Sequence, residues 1–109
     1  MTKIKKRKKI AGTVVMKGEA TEFVFRLFIT GALPNSARAV ANSKTIFEKY
    51  LAGRYTLEVV DIYQQPDLAI SEDIVAVPVL IKKLPLPEER LIGDLSDTVL
   101  VLKMLNLVE

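Results

Sequence analysis

At 109 residues, half of them hydrophobic, the chain fits one domain with a modest core. With neither cysteine nor histidine, it has no disulfides or thiolates and lacks the commonest general base and metal ligand. The net charge of +3 conceals an asymmetry: Lys3, Lys5, Lys6, Arg7, Lys8 and Lys9 hold six of the sixteen basic residues, leaving ten basic against thirteen acidic residues beyond them.

Residues 1–21 read as a basic, flexible N-terminal extension, in which Ile10 to Met16 could add a short strand, and the folded domain is expected over 22–109. The basic run could neutralise phosphates, but it has no aromatic residue to stack on bases, so nucleic-acid binding through residues 1–9 is disfavoured against a solvated tail. No apolar stretch reaches the ~18 residues of a membrane span, and no apolar core of a signal peptide follows the charges. A cytoplasmic protein without a membrane segment is expected.

Phe23 to Ile29 form a nearly continuous apolar run broken by Arg26, which predicts a central strand covered on both faces. Pro34, Asn35 and Ser36 supply turn and cap chemistry. A helix is predicted from Ser36, as its N-cap, to about Ala52, with Ala37, Val40, Ala41, Phe47 and Leu51 on one face and Gly53 closing it. Tyr55 to Tyr63 reads as a second strand, parallel to the first because a helix separates them. Pro66 opens a short helix to about Glu72. Val75 to Lys82 and Glu88 to Ile92 then read as strands whose proline-rich connection is too short for a parallel crossover, so they should pair antiparallel. Leu95 and Ser96 suggest a hydrophobic staple and N-cap for a final helix to about Val108. The order βαβαββα, a mixed four-stranded sheet with helices on both faces, is the thioredoxin arrangement. In that arrangement Pro78 sits where a cis-proline usually begins the third strand.

Thioredoxin-type catalysis needs a low-pKa cysteine at the start of the first helix. Here that loop reads Gly31, Ala32, Leu33, Pro34, Asn35, Ser36, and Ser36 has no histidine to deprotonate it. The paired carboxylates Glu72-Asp73, Glu88-Glu89 and Asp94-Asp97 fall in predicted turns or helix starts, where capping and solvation account for them. Asp61 differs, because it is expected at the end of a central strand, the edge where α/β sheets place ligands. No glycine-rich phosphate loop occurs, and no metal or cofactor is expected. A binding protein rather than an enzyme follows, with a dithiol-free stress-response or redox-related adaptor as the alternative.

From about Leu27 to Leu107 the chain resembles the KaiB family of circadian clock proteins. The resemblance is carried by Gly31 with PNSARA (Pro34 to Ala39), VVDIYQQPDLA (Val59 to Ala69), AVPVL (Ala76 to Leu80) and LPLPEERLIGDLS (Leu84 to Ser96). It implies a cysteine-free thioredoxin-like regulator that binds a KaiC-like RecA-type ATPase. It also implies an alternative: the rearranged C-terminal half of the family's tetrameric ground state.

Arg38, Asp61, Lys82 and Arg90 are the expected partner contacts, while Pro78, Gly93 and Ser96 serve backbone geometry. Between Val99 and Val108 only Lys103 and Asn106 are polar, so the last helix needs cover, and a homo-oligomer through it is expected. Compared with clock members, Met104 and Asn106 replace Gly and Asp, Glu58 and Asp73 replace lysines, and Glu89 replaces an arginine. Loss of a mid-helix Gly favours the helix, and with it the thioredoxin form, by roughly 1 kcal/mol. The reversed charges could alter the partner surface.

Overall fold

The computed structural model describes residues 22–31 and 33–107. The expected strand at Ile10 to Met16 and the basic run lie outside the described residues.

Alternation along strand β1 (Phe23–Ile29) sends Phe23, Phe25 and Leu27 to one face and Phe28 to the other, all of them buried. Such a strand is stable only between two neighbours. It pairs in parallel with β2 (Tyr55–Asp61) and antiparallel with β3 (Val79–Leu84), which pairs antiparallel with β4 (Glu89–Ile92). The sheet order is therefore β2-β1-β3-β4, and the expected mixed four-stranded α/β architecture is the one observed.

Helix α1 (Pro34–Leu51) and helix α3 (Thr98–Met104) cover one face, where Phe25, Leu27 and Leu80 meet Phe47, Leu51, Val101 and Met104. The rings of Phe25 and Phe47 stack with centroids 4.0 Å apart. Helix α2 (Pro66–Ser71) covers the other face, where Leu68 and Ile74 pack on Phe28, Val60, Val79 and Ile81.

Several local expectations need correction. Helix α1 begins at Pro34 with Leu33 as its N-cap, not at Ser36. Its buried stripe runs through Ser36, Ala39, Ser43, Ile46, Phe47 and Leu51, so Ala37 and Ala41 face outward. Two small serines can take buried positions because their hydroxyls are satisfied: Ser36 Oγ accepts from Thr30 N, and Ser43 Oγ donates to Val40 O. Strand β2 ends at Asp61 and lies at the sheet edge rather than its centre, because β3 occupies the other side of β1. Strand β3 starts at Val79, after the cis Val77–Pro78 bond, rather than at Val75.

The last helix is shorter than the apolar run, since Asn106 takes a positive φ of 61° and ends it. Its N-cap is Asp97, whose side chain accepts from Leu100 N, and not Ser96. Met104 closes α3 instead of sitting in its middle. Its contribution is therefore burial in the core rather than the propensity gain expected of a mid-helix position.

Candidate partner-binding site

The C-terminal end of β1 meets the start of α1, the end of β2 and the Val77–Pro78 turn. Gly31 leaves β1 with a φ of +51°, and its N–H donates to Asp61 Oδ2 at 3.1 Å. Asp61 Oδ1 accepts from Tyr63 N at 2.9 Å. Both oxygens of Asp61 thus hold main chain, and the residue ties the edge strand to the loop after β1. Ser36, buried beneath that loop, accepts from Thr30 N at 3.0 Å. Between this loop and Pro78 lies an open cleft of about 300 Å³, lined by Thr30, Leu33, Ser36, Val77 and Pro78 among others.

Arg38 rises from the second turn of α1. Its Nε donates to Asp94 Oδ2 at 3.1 Å, and its guanidinium also donates to Asn35 Oδ1. Asn42 Nδ2 donates to Asp94 O at 2.8 Å, and Ser96 N donates to Asp94 Oδ1 at 3.0 Å. The hydroxyl and main chain of Ser96, followed by Arg38, hold the Asp94 carboxyl below the usual aspartate range. Gly93 supports this corner with a φ of +125°, a backbone that favours glycine, while its N–H donates to Pro78 O at 2.9 Å. Arg38, Pro78, Gly93 and Ser96 therefore belong to one connected corner, bordered by the Asp61 loop.

Arg90 lies elsewhere, on the α2 face. Its guanidinium approaches Glu72 at 3.5 Å and Glu88 at 3.7 Å, and donates to Asp73 O at 3.5 Å. Glu72 is the hub, receiving Lys83 Nζ at 2.8 Å and Arg26 at 2.9 Å, and Arg26 also pairs with Glu58 at 2.9 Å. The Lys83 ammonium, aided by the Arg26 and Arg90 charges, holds the Glu72 carboxyl below its ordinary range although burial opposes this. From sequence, Glu72 is expected in a turn or helix start where capping and solvation account for it. The signal was strand parity: Arg26 stands opposite Glu58 and Ile81, and Ile81 opposite Arg90, so these positions and Lys83 share one face.

Lys82 has the opposite parity. Its side chain is 1% exposed beneath α3, where Nζ donates to Met104 O at 3.3 Å and approaches Glu89 Oε1 at 3.8 Å. A cation at a helix C-terminus satisfies an orphan carbonyl and meets the negative end of the dipole. In this conformation Lys82 holds α3 to the sheet and is withdrawn from the surface set expected to touch a partner. Arg38, at 55% side-chain exposure, and Arg90, at 37%, remain accessible.

Comparison with known proteins places these features in a wider context. A family model described as the KaiB domain matches residues 26–107. The circadian clock oscillator protein KaiB of Synechococcus elongatus is 44% identical over 86 residues, covering 79% of this chain and 84% of that protein. The protein of the same name from Microcystis aeruginosa is 43% identical, covering 79% and 83%. Among solved structures, the N-terminal domain of Synechococcus elongatus SasA superposes with a TM-score of 0.66 at 24% identity, over 94% of this chain and 97% of that one. The Drosophila thioredoxin Deadhead superposes with a TM-score of 0.65 at 13% identity, over 83% and 85%. These superpositions bear on the fold, which is thioredoxin-like.

Proposed function

This chain belongs to the KaiB family, and we propose that it is a circadian-clock-type regulatory protein that acts by binding a RecA-type ATPase of the KaiC class. The observation that carries this reading is the KaiB domain match over residues 26–107, with relatives named circadian clock oscillator protein KaiB at 44% identity. Binding rather than catalysis is favoured by the engagement of the two side chains nearest to a reactive arrangement. Ser36 accepts from the Thr30 main chain, and Asp61 accepts from the main chains of Gly31 and Tyr63.

The proposed contact residues are Arg38 and Arg90, whose charged groups stay at the surface, with the Asp61 loop beside Arg38's corner and Pro78, Gly93 and Ser96 shaping it. A folded domain over 22–109 with a basic extension, located in the cytoplasm, is part of the same reading. Among the described residues no helix is long and apolar enough to cross a membrane. Helix α3 leaves Val99 and Leu100 exposed, with Leu107 just beyond it, which supports self-association through that helix.

Co-purification with the KaiC-like ATPase of the same organism, in the presence of ATP, tests the partner. The wild-type chain is expected to be retained, and Arg38→Ala with Arg90→Ala to weaken retention while circular dichroism shows an unchanged fold. Failure of the wild-type chain to bind defeats the assignment.

A further inference from the structure

Strand β2 pairs with β1 on one side, and among the described residues no second strand pairs with it on the other. Two hydrogen bonds at the ends of this ladder set its phase: Phe23 N donates to Arg54 O at 2.8 Å, and Ile62 N donates to Ile29 O at 3.0 Å. In a parallel ladder alternate residues of a strand turn both main-chain groups to the same neighbour, so Arg54, Thr56, Glu58, Val60 and Ile62 serve β1. Tyr55, Leu57 and Val59 therefore direct both N–H and C=O away from the sheet.

Such a row is a template for another strand, and proteins blunt it with prolines, lysines, bulges or very short strands. Strand β2 has none of these, since it runs seven residues, YTLEVVD, in unbroken register with β1. The opposite edge is guarded: β4 has only four residues, lies between Pro87 and Gly93 and carries Arg90. Tyr55, Leu57 and Val59 also share one face, that of Phe23, Phe25 and Leu27, and Val59 is 38% exposed. Glu58 points to the other face, where Arg26 already pairs with it.

We propose that a second copy of this chain pairs antiparallel with β2 about a two-fold axis through Leu57, joining two four-stranded sheets into one. This axis uses the whole free row: Tyr55 exchanges hydrogen bonds with the partner's Val59, Leu57 with the partner's Leu57, and Val59 with the partner's Tyr55. An aromatic residue then meets a β-branched one on both sides of the axis, with an apolar pair between them. On the other face Glu58 meets the partner's Thr56, whose hydroxyl can donate to the carboxylate, and no two like charges stand opposite. Moving the axis to Glu58 would oppose two carboxylates, and moving it to Thr56 would leave Val59 across from the partner's Gly53. The strand is thus complementary to itself in one register, which is what an isologous contact requires. This surface goes beyond the ATPase reading and the self-association through α3, since it uses none of Arg38, Arg90, Val99 or Leu100.

The test is sedimentation equilibrium of the full chain over a concentration series, with amide hydrogen exchange followed by NMR. A dimer that dilution dissociates is expected, in which the Leu57 and Val59 amides gain protection on association while those of Thr56, Glu58 and Val60 are protected in both states. Thr56→Glu sets a carboxylate opposite the partner's Glu58 on each side of the axis and should weaken the dimer about threefold to tenfold, whereas Thr56→Lys should tighten it by a similar factor. Val59→Pro deletes an outward N–H without removing a bond to β1, so it should abolish the dimer while circular dichroism keeps the monomer's spectrum. A monomer at every concentration, a dimer indifferent to both Thr56 variants, or a dimer that Leu100→Glu dissociates and Val59→Pro does not would overturn the proposal. Protection of the Leu57 and Val59 amides in the monomer would overturn it as well, because a segment of the same chain would then hold the edge.

Discussion

On the side of the sheet covered by α1 and α3, Phe25, Leu27 and Leu80 meet Phe47, Leu51 and Val101 in a dry core. On the α2 side, four buried apolar residues share the face with Arg26, Glu58, Glu72, Lys83, Glu88 and Arg90. The dry face draws its stability from area and packing, which salt and pH barely touch. The charged face draws on ion pairs that both salt and pH weaken. A lineage can therefore redraw charges on the α2 side at small cost to the fold. Of the charges expected to depart from the family, Glu58 pairs with Arg26 on the α2 side, while Glu89 lies 3.8 Å from Lys82 on the α3 side. Charges that looked, in sequence, like changes to a partner surface are partly absorbed within the molecule.

The largest effect should come from the dry face. Phe47→Ala removes a fully buried ring stacked on Phe25 and touching Tyr55, and should cost about 3–5 kcal/mol. Denaturant unfolding at low and high salt should return the same loss; a strongly salt-dependent loss would break the contrast between the faces.

Lys82 is the exception on that face, and it sharpens the comparison. Lys82→Ala both opens a void and strips the Met104 carbonyl of its donor, so a loss of roughly 2–3 kcal/mol is expected. Lys82→Met keeps the stem and should recover more than half of that. Hydrogen exchange should show α3 amides losing protection in both variants, more in Lys82→Ala. Unchanged α3 protection would mean that the ammonium does not anchor the helix.

On the charged face, Glu72→Gln leaves Lys83, Arg26 and Arg90 without their shared carboxylate and should cost about 1–2 kcal/mol at neutral pH. Because the folded-state pKa of Glu72 is depressed, its contribution is fully present above the unfolded-state value and is lost as pH falls through the folded-state value. The gap between wild type and variant should thus close on acidification below the ordinary glutamate range. Urea midpoints measured across that range check it, and a constant gap would sink the role given to Glu72.

Much of the frame was legible in sequence because it rests on periodicity and punctuation. The apolar run of β1, the proline before β3, Gly53 after α1 and the short LPLP connection each constrain backbone locally. What escaped depends on which strand lies beside which. The run Tyr55 to Tyr63, rich in β-branched and aromatic residues, marks a strand near whose end Asp61 falls, yet only the crossover of β3 to the far side of β1 decides that this strand is an edge rather than central. Lys82 looked like a surface contact until register set it opposite Phe25 and beneath α3. Ser36 and Ser96 have cap chemistry, but the chain gave Ser36 to Thr30 and Ser96 to Asp94, leaving Leu33 and Asp97 at the cap positions. Ser, Asp and Asn offer the same local bonds over a window of one or two residues, so sequence marks the helix start without marking its cap.

The smallest effect expected is also the closest test of how the charged face drifts. Arg26 and Glu58 stand directly opposite on β1 and β2, with their ion pair at the edge of the sheet and Glu58 half-exposed. Glu58→Lys, which reverses the charge, places like charges across the strands and should destabilise by about 0.5–1 kcal/mol at low salt. Adding Arg26→Glu should reverse the cross-strand loss but set a carboxylate against Glu72, so the double variant should recover only part of the stability. Full recovery would mean that the pair acts alone. Partial recovery, shrinking with added salt, would show that Glu58 is held by the whole Glu72 network, so that a lysine placed here must bring compensating changes on β3 and β4.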